Sequence, residues 1–367
     1  MTVAILLRLL LRLVAVVLLV VSLLPFLRTD LWWVRLCDFP RLQVAVLGVV
    51  LLLTALLLRA YLQRADHVLA VLLGVVVLVE AWFIFPFTPL ASKTVRDNPD
   101  PAPERTLRIA TANVLMDNRD AAALLTIIRE HDPDVILLSE PNAWWIEQCR
   151  PLEKSHPFIV LQPQSNTYGM ALYSRFELVA PKVLFRIEPG VPSIQAGVRL
   201  PDGTLVQFYA VHPRPPGIDP PGEDERQSSR PRDAELILVA REIGERGVPA
   251  VVVGDFNDVG WSHTTRLFQR LGHLLDPRIG RGLFNTFDAQ HPLMRYPLDH
   301  IFHTGHFSLA GLERLPAFGS DHFPMFASLV FRPDAAPPPG GTPAPDGDDL
   351  KEARQTIQKA APEKASP

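Results

Sequence analysis

Polar side chains that bind metal ions or move protons stand at the ends of apolar strands in this sequence. The clearest case is residues 251–257 (VVVGDFN), where three valines predict a buried strand and Asp255 and Asn257 follow at its carboxyl edge. Turn-forming aspartates and asparagines also end strands without any catalytic role. This stretch alone leaves both interpretations open, and its neighbours along the chain decide between them.

Other predicted strand ends carry the same kinds of residue. Each one alone has a simple structural explanation, as a turn former, a helix cap or a hydrogen-bonded histidine. Repetition is more informative, because every such residue places a costly polar group beside an apolar core. The set therefore predicts a site built along one edge of a sheet. Its members are Asn113, Glu140, His212, Asp255, Asn257, Asp299, Asp321 and His322.

The chemistry open to this set is narrow. Carboxylate and amide oxygens without cysteine suit a hard cation, Mg²⁺ or Mn²⁺, and Glu140 is the leading ligand. His322 paired with Asp299 is the candidate catalytic histidine. It can act as a general acid or base or, when protonated, stabilise charge on a phosphoryl oxygen. His212 is a second imidazole for the same phosphate.

The remaining members predict the reaction. Asp255 is expected to orient or deprotonate an attacking water, and Asn257 to hold that water or a phosphate oxygen. Together with a cation and two imidazoles, these roles predict in-line hydrolysis of a phosphate ester.

The elements that must position the site lie in residues 106–332. Apolar strands alternate there with amphipathic helices, and several strands are continuous apolar runs, which predicts an α/β domain of two packed sheets with helices outside. The predicted strands are residues 107–114, 135–139, 169–174, 197–200, 205–211, 251–255, 298–302 and 326–330, and the predicted helices are residues 121–130 and 232–246.

The motifs that carry these residues follow one another in a specific order. They are TANV (111–114), LLSE (137–140), YGMALYSR (168–175), VHPRP (211–215), GDFN (254–257), PLDHIF (297–302) and GSDHFP (319–324). In this order the sequence resembles the endonuclease/exonuclease/phosphatase superfamily, which includes pancreatic-type deoxyribonucleases, abasic-site endonucleases, neutral sphingomyelinases and inositol polyphosphate 5-phosphatases. The resemblance covers residues 106–332, and His212 matches the deoxyribonuclease and sphingomyelinase branches.

The resemblance implies an αββα two-sheet sandwich and a Mg²⁺-dependent phosphoesterase. It implies that Asn113, Glu140 and Asp321 lie at the metal. Leu115 stands where abasic endonucleases carry an aspartate, which argues against an abasic-type role. The catalytic residues that the resemblance implies are His212, Asp255, Asn257, Asp299 and His322.

Three further residues are candidates for substrate contact. Tyr168 and Arg232 are expected to reach the substrate, and Trp261 to line its cleft. For Arg232 a solvated helix start is the alternative, and for Trp261 simple packing. The N-terminal spans and the motifs after GDFN are similar to a bacterial membrane-anchored subgroup of the superfamily.

The first ninety residues predict a membrane region. Three apolar stretches, about residues 3–27, 42–62 and 67–89, approach the length of roughly 20 residues that a helix needs to cross a bilayer. No small-residue cleavage site follows the first stretch, so a retained anchor is favoured over a signal peptide. Glu80 in the third stretch is expected to pair with Arg8 or Arg12 or to lie near the lipid headgroups, rather than to have a functional role. Basic residues are balanced between the two sides, which leaves the orientation in the cell membrane open.

Composition divides the rest of the chain. Residues 91–105 are polar and Pro-rich and predict a linker, and residues 333–367 predict a disordered tail. Residues 106–332 carry 22 basic and 26 acidic side chains, which lowers the expectation of a duplex-DNA-binding protein. Two cysteines exclude a disulfide framework.

Two function classes follow from the sequence. The first is a membrane-anchored hydrolase acting on nucleic acid, a lipid headgroup or a small phosphodiester. The second is a catalytically silent, membrane-tethered binding or scaffold protein on the same fold. The intact polar set favours the hydrolase. The predicted partners are a phosphoester substrate and the bilayer, and the sequence identifies no protein partner.

Overall fold

Residues 106–332 contain two six-stranded sheets packed face to face. The computed structural model of the protein describes residues 3–58, 62–217, 228–333 and 342–360. The first sheet has the order β11-β12-β1-β2-β4-β3 and contains β1 (Thr106–Asn113), β2 (Val135–Ser139), β3 (Phe158–Gln162), β4 (Met170–Ser174), β11 (Phe307–Arg314) and β12 (Met325–Phe331). The second has the order β5-β6-β7-β8-β10-β9 and contains β5 (Leu178–Leu184), β6 (Ser193–Arg199), β7 (Leu205–Ala210), β8 (Ala250–Asp255), β9 (Leu274–Leu275) and β10 (Asp299–Thr304).

Among the described residues, four α-helices precede the sheets in the sequence, and five others pack on the outer faces of the sheets. Those of the N-terminal region are α1 (Val3–Leu23), α2 (Trp32–Leu36), α3 (Arg41–Leu57) and α4 (Arg64–Ile84). The helices that follow β1 in the chain are α5 (Ala121–His131), α6 (Ala143–Cys149), α7 (Arg230–Arg246), α8 (His263–Gly272) and α9 (Gly347–Ala360).

Three layers of apolar packing produce the αββα arrangement. Leu137 of the first sheet and Phe208 of the second belong to one buried cluster between the sheets. Trp145 of α6 lies in a separate cluster on the outer face of the first sheet, and Phe268 of α8 lies in a third on the outer face of the second. Strands that are buried on both faces have continuous apolar sequences, and this pattern is what made the fold predictable. The predicted α/β two-sheet fold is confirmed.

The N-terminal region is a helical bundle. By length and composition, two stretches of the described residues are able to cross a membrane, Arg8–Phe26 and Arg64–Phe87, while α3 is a shorter apolar helix. Part of the predicted second span, residues 59–61, lies outside the described residues. The described residues thus contain two candidate spans where the sequence predicted three.

A buried ion pair crosses this bundle. The Arg41 guanidinium donates to the Glu80 carboxylate at 3.0 Å and to Asp38 at 2.7 Å, and Ser22 donates to the other Glu80 oxygen. Glu80 thus pairs with Arg41 of α3, a partner that was not predicted from the sequence. Arg12 pairs with Asp66 at the far end of α4, because α1 and α4 bring these two residues to the same level.

The predicted linker is part of the folded domain. Val95 is buried in the cluster between the sheets, and the Leu309 backbone N–H donates to the Arg96 carbonyl at the edge of β11. The Pro-rich composition favoured a semi-extended segment, and this segment contains one short 3₁₀ helix, Pro103–Arg105. The composition did not reveal that an extended segment can cover a sheet edge and bury one valine.

The predicted disordered tail contains a packed helix. Residues 334–341 and 361–367 lie outside the described residues, but α9 packs against α7 and α8, with Ala353 buried in the cluster on the second sheet's outer face. The Asp349 carboxylate accepts two hydrogen bonds from Arg270, at 2.7 and 2.8 Å. The buried alanine, the Arg270–Asp349 ion pair, the His263–Glu352 contact and the packing of Ile357 all hold the helix, and composition alone could not show these contacts.

Substituting Ala353→Asp should lower the free energy of unfolding by about 2 to 4 kcal/mol, because a carboxylate would replace a methyl group in an apolar contact. Gln355→Asp, on the exposed face of α9, is the matched control and should change stability little. Denaturant unfolding measures both variants. Equal stability of the two would contradict the packed position of α9.

Candidate active site

Strand direction gathers the predicted site at one edge of the sandwich. β1 and β2 run parallel, as do β7 and β8, so their carboxyl ends lie on the same edge of each sheet. β10 and β12 run antiparallel to β8 and β1, which brings their amino ends to that same edge. Residues that follow four strands and precede two others therefore meet across the sandwich.

Asp255 at the end of β8 is the centre of this cluster. It is 1 % exposed, and its Oδ1 accepts from the Asn257 backbone N–H at 2.8 Å. Its Oδ2 accepts from the Asn113 amide at 3.1 Å and lies 3.8 Å from His212 Nε2 and 3.6 Å from His322 Nε2. One carboxylate thus joins residues from both sheets. Burial raises its pKa, and the two imidazoles oppose that shift.

His322 lies between two carboxylates. Its Nδ1 is 2.7 Å from Asp299 Oδ2, and its Nε2 faces Asp255. Burial alone would lower the pKa of His322, but the charges of Asp299 and Asp255 outweigh it and raise the pKa to about 10. The imidazole is therefore protonated at neutral pH and presents an N–H and a positive charge to the cleft.

Glu140 stands on a strained turn directly after β2. Its φ is 66°, in the left-handed region, and its backbone N–H donates to the Gly169 carbonyl at 2.8 Å. Gly169 has no alternative at this point, since a Cβ there would lie 2.0 Å from the Pro141 carbonyl oxygen. This close approach of two loops aims the Glu140 carboxylate at the edge.

Asn113 holds the carboxylates in place. Its Oδ1 accepts from the Leu115 backbone N–H at 3.0 Å, so its NH₂ group faces the site and donates to Glu140 at 2.9 Å and to Asp255. Its Oδ1 keeps one free lone pair, so the role of Asn113 as a metal ligand stays a prediction. Asn113 positions acids from both sheets.

Glu140 and Asp321 fit a divalent cation. Burial raises the pKa of Asp321, and the nearby negative charge of Glu140 adds to this shift. Two adjacent carboxylates that repel each other, with Glu140 partly open to the cleft, form the oxygen-rich site that a hard cation stabilises. The chemistry of this donor set suits a hard cation, and the metal position at Glu140 and Asp321 stays a prediction.

A second acidic group satisfies metal-ligand distances as well. One ligand atom from each of Asp255, Asp299 and His322 lies within 4.8 Å of the others. A cation there would require a neutral imidazole, whereas the pKa of His322 is raised to about 10 by the same two carboxylates. A proton already compensates this group. Glu140 and Asp321, which offer carboxylate oxygens alone, are the better candidate ligands.

His212 and Tyr168 lie at the same edge. The His212 Nε2 is 3.9 Å from Glu140 Oε1, and the His212 ring is 5.8 Å from the Tyr168 ring. Both residues are almost completely buried. Tyr168 therefore lies beside a candidate catalytic residue, and its contact with substrate stays a prediction.

Arg232 is a supporting residue. It is 1 % exposed, donates to Asp233 through two nitrogens, and donates to the Asn257 carbonyl at 2.7 Å. Asn257 has a φ of 51°, and its side-chain amide donates to the Pro213 carbonyl of the loop after His212. The predicted substrate contact of Arg232 is wrong, because its guanidinium is fully used inside the protein.

Trp261 also packs away from the cleft. Its indole N–H donates to the Asp38 carbonyl at 2.7 Å, and its ring makes an edge contact with Phe87 at 5.4 Å. The packing alternative is thus the correct one for Trp261. This contact ties the loop after Asn257 to the N-terminal region.

Two site residues were missed from the sequence. The Ser320 hydroxyl donates to the Asn113 carbonyl at 2.7 Å and accepts from the His322 N–H at 3.0 Å. The Thr286 hydroxyl accepts from the Asp299 N–H at 3.1 Å and is completely buried. Ser320, two residues before a histidine, was recognisable as a local turn former. Thr286 comes from a distant loop and gave no local signal.

The two-sheet fold carries at one edge a histidine–aspartate pair beside the carboxylates of Asp255 and Glu140. A family model described as "Endonuclease/Exonuclease/phosphatase family" matches residues 110–322. The chain belongs to this family and is a phosphoester hydrolase. Enzymes of the family use divalent metal ions.

Solved structures similar to this chain have low sequence identity. An endonuclease/exonuclease/phosphatase from Beutenbergia cavernae is 20 % identical over 62 % of this chain and 72 % of its own, with a TM-score of 0.46. D. rerio TDP2 complexed with a single-strand DNA product is 16 % identical over 61 % and 98 %, with a TM-score of 0.46. The human Nocturnin catalytic domain with bound sulfate is 17 % identical over 63 % and 96 %, with a TM-score of 0.47. A comparison with curated proteins gave no match.

The raised pKa of His322 predicts a pH-dependent stability in the presence of a chelator. The folded protein keeps a proton on His322 that the unfolded chain releases, so this stabilisation is complete below pH about 6.5 and is lost as the pH rises through about 10. Between these values the free energy of unfolding should fall by up to about 1.4 kcal/mol per pH unit from this group.

The measurement is denaturant unfolding at a series of pH values, with His322→Gln as the comparison. The variant should lack this component of the slope. Identical slopes in both proteins would show that His322 carries no raised pKa.

Arg232→Gln should lower the free energy of unfolding by about 3 to 5 kcal/mol, because it leaves buried carboxylates without their cation. Its kcat should fall while KM stays nearly constant, since Arg232 fixes the Asn257 loop and contacts no substrate. Arg230→Gln is the control, as Arg230 is half exposed and pairs at the surface. A raised KM with unchanged stability would restore Arg232 as a substrate-binding residue.

Proposed function

We propose that this protein is a membrane-anchored, Mg²⁺-dependent phosphodiesterase. The observation that carries the proposal is the convergence of Glu140, His212 and His322 on Asp255, although these residues are spread over about half of the chain. Carboxylates and imidazoles with this spacing serve phosphoryl transfer, in which charge on the phosphoryl oxygens must be stabilised.

Glu140 and Asp321 are the residues that would hold the ion. When bound, Mg²⁺ supplies charge stabilisation to the phosphoryl oxygens and to the leaving oxygen. Oxygen ligands without cysteine or a neutral histidine favour Mg²⁺ or Mn²⁺ over softer metals. Asn113 keeps the Glu140 carboxylate turned towards the cleft through its amide N–H.

The other side chains divide the remaining tasks. Asp255 has a raised pKa and lies within reach of both imidazoles, so it is suited to accept the proton of the attacking water. Asn257 holds the loops that border this water position. His322 is protonated and donates to a phosphoryl oxygen, and His212 contributes a second donor on the same side. Asp299 keeps the His322 ring oriented through Nδ1.

The helical bundle supports the membrane part of the proposal. Its outward surface is apolar, with Leu13 at 61 %, Leu53 at 55 % and Leu78 at 71 % exposed, while Arg41 and Glu80 are paired inside. A large apolar outer surface is typical of a segment surrounded by lipid. Trp82, 78 % exposed near the end of α4, has the position of an interfacial aromatic residue.

Glu140→Gln tests the proposed function in the full-length protein. With Mg²⁺ and bis(p-nitrophenyl) phosphate, kcat should fall by at least about a thousandfold, because the ion loses a charged ligand worth several kcal/mol. Glu130→Gln, exposed on α5, is the matched control and should keep full activity. Mn²⁺ binding measured by calorimetry should weaken only in the Glu140 variant. Unchanged turnover and binding would remove Glu140 from the metal site.

A further inference from the structure

A loop between two catalytic segments forms one rim of the candidate active site. This segment, residues 288–295, is called the rim loop below. The Ala289 backbone N–H donates to the Asp321 carbonyl at 2.7 Å, directly beside His322. Phe287, which precedes the loop, lies against the His322 ring with a centroid distance of 4.9 Å. A molecule that reaches His322 from this side passes the rim loop.

The tip of the rim loop is apolar and exposed. Leu293 is 84 % exposed and Met294 is 56 % exposed. Neither belongs to an apolar cluster of the described residues. Two adjacent large apolar side chains in water are costly, and at the border of a cleft they favour a partner that is itself apolar.

The rim loop contacts the helical bundle at the first turn of α3. The Gln43 amide of α3 donates to the Leu293 carbonyl at 3.0 Å. On the same face of α3, one turn further along, Val46 and Leu47 are 54 % and 49 % exposed. The apolar tip is therefore continuous with the surface that the proposed function places in lipid. Leu293 and Met294 stand at the level where α3 begins, which becomes the membrane–water boundary if the bundle lies in lipid as the proposed function has it.

Two arginines stand behind the apolar tip. Arg295 and Arg314 both lie over the Phe323 ring, at 4.9 and 4.3 Å from its centroid. Within the described part of the chain neither guanidinium forms an ion pair, and each donates to backbone carbonyls. Unpaired cations next to an apolar tip are the pattern of a surface that binds anionic lipid headgroups.

We propose that the rim loop enters the headgroup layer of the bilayer that holds the bundle, and that the active site takes an anionic phospholipid as its phosphodiester substrate. This inference rests on the proposed function and names its substrate class. The oxygen of water forms a bond to phosphorus, one phosphorus–oxygen ester bond breaks, and the leaving oxygen takes a proton. Hydrolysis releases either diacylglycerol and a phosphorylated headgroup, or phosphatidate and a free headgroup.

Nucleic acid is the competing substrate class. A site for a polynucleotide needs a row of cations along its backbone and flat surfaces for its bases. The rim loop instead presents aliphatic side chains at its tip, held against a bundle of apolar helices. These features favour a lipid.

The test uses the full-length protein reconstituted with Mg²⁺ in vesicles of equal parts phosphatidylcholine and phosphatidylglycerol. Products are identified by mass spectrometry, and bis(p-nitrophenyl) phosphate hydrolysis is measured in the same samples. In the double variant Leu293→Ser, Met294→Ser, the rate of phosphatidylglycerol hydrolysis should fall about tenfold, while the rate on the soluble ester should stay unchanged. Val248 is an exposed apolar residue just before β8, at the end of that strand away from the site, and Val248→Ser should alter neither rate.

Each outcome has one meaning. If the wild type cleaves the soluble ester but releases no lipid product, the lipid inference is overturned and the proposed function stands. Single-stranded DNA or RNA cleaved faster than lipid would also overturn it, in favour of a nuclease. If the double variant and the wild type cleave phosphatidylglycerol at the same rate, the rim loop has no role. If neither lipid, soluble ester nor nucleic acid is cleaved, the proposed function itself fails.

Discussion

The burial of one carboxylate, that of Asp255, is the constraint on which the rest of the site depends. An acid without solvent at the end of β8 is stable only if its neighbours supply protons and positive charge. Asn113 from the first sheet and His212 and His322 from loops on either side supply them. The same contacts that make the buried acid tolerable therefore hold the two sheets in register and assemble a phosphoester hydrolase.

The N-terminal region supports this arrangement from behind. Trp261 donates to the Asp38 carbonyl, and Phe39 packs on Tyr296, whose backbone holds the loop of Thr286. Both loops that position catalytic residues, one after Asp255 and one before Asp299, thus rest on residues that lie outside the family match. The helical bundle and the catalytic sandwich form one structural unit around the cleft.

The sequence was informative where physical chemistry is local. Apolar runs and strand-end polar residues predicted the two sheets and the edge where Glu140, His212 and His322 meet. It failed where long-range contacts decide. The sequence suggested surface positions for Arg232 and Val95. In the structure Arg232 is buried against the loop of Asn257, and Val95 is buried between the two sheets. The half-exposed edge strands β3 and β5 and the packed helix α9 were missed for the same reason, because their partners lie far away in the chain.

The most direct test of the account is the position of a bound ion. Anomalous diffraction from Mn²⁺ in crystals of the protein locates the metal independently of any activity. The account predicts a single strong peak at coordination distance, about 2.1 Å, from carboxylate oxygens of Glu140 and Asp321. A peak between Asp255 and Asp299 with His322 as a nitrogen ligand would contradict it, because the imidazole would then be a metal ligand and not the protonated donor to the phosphate.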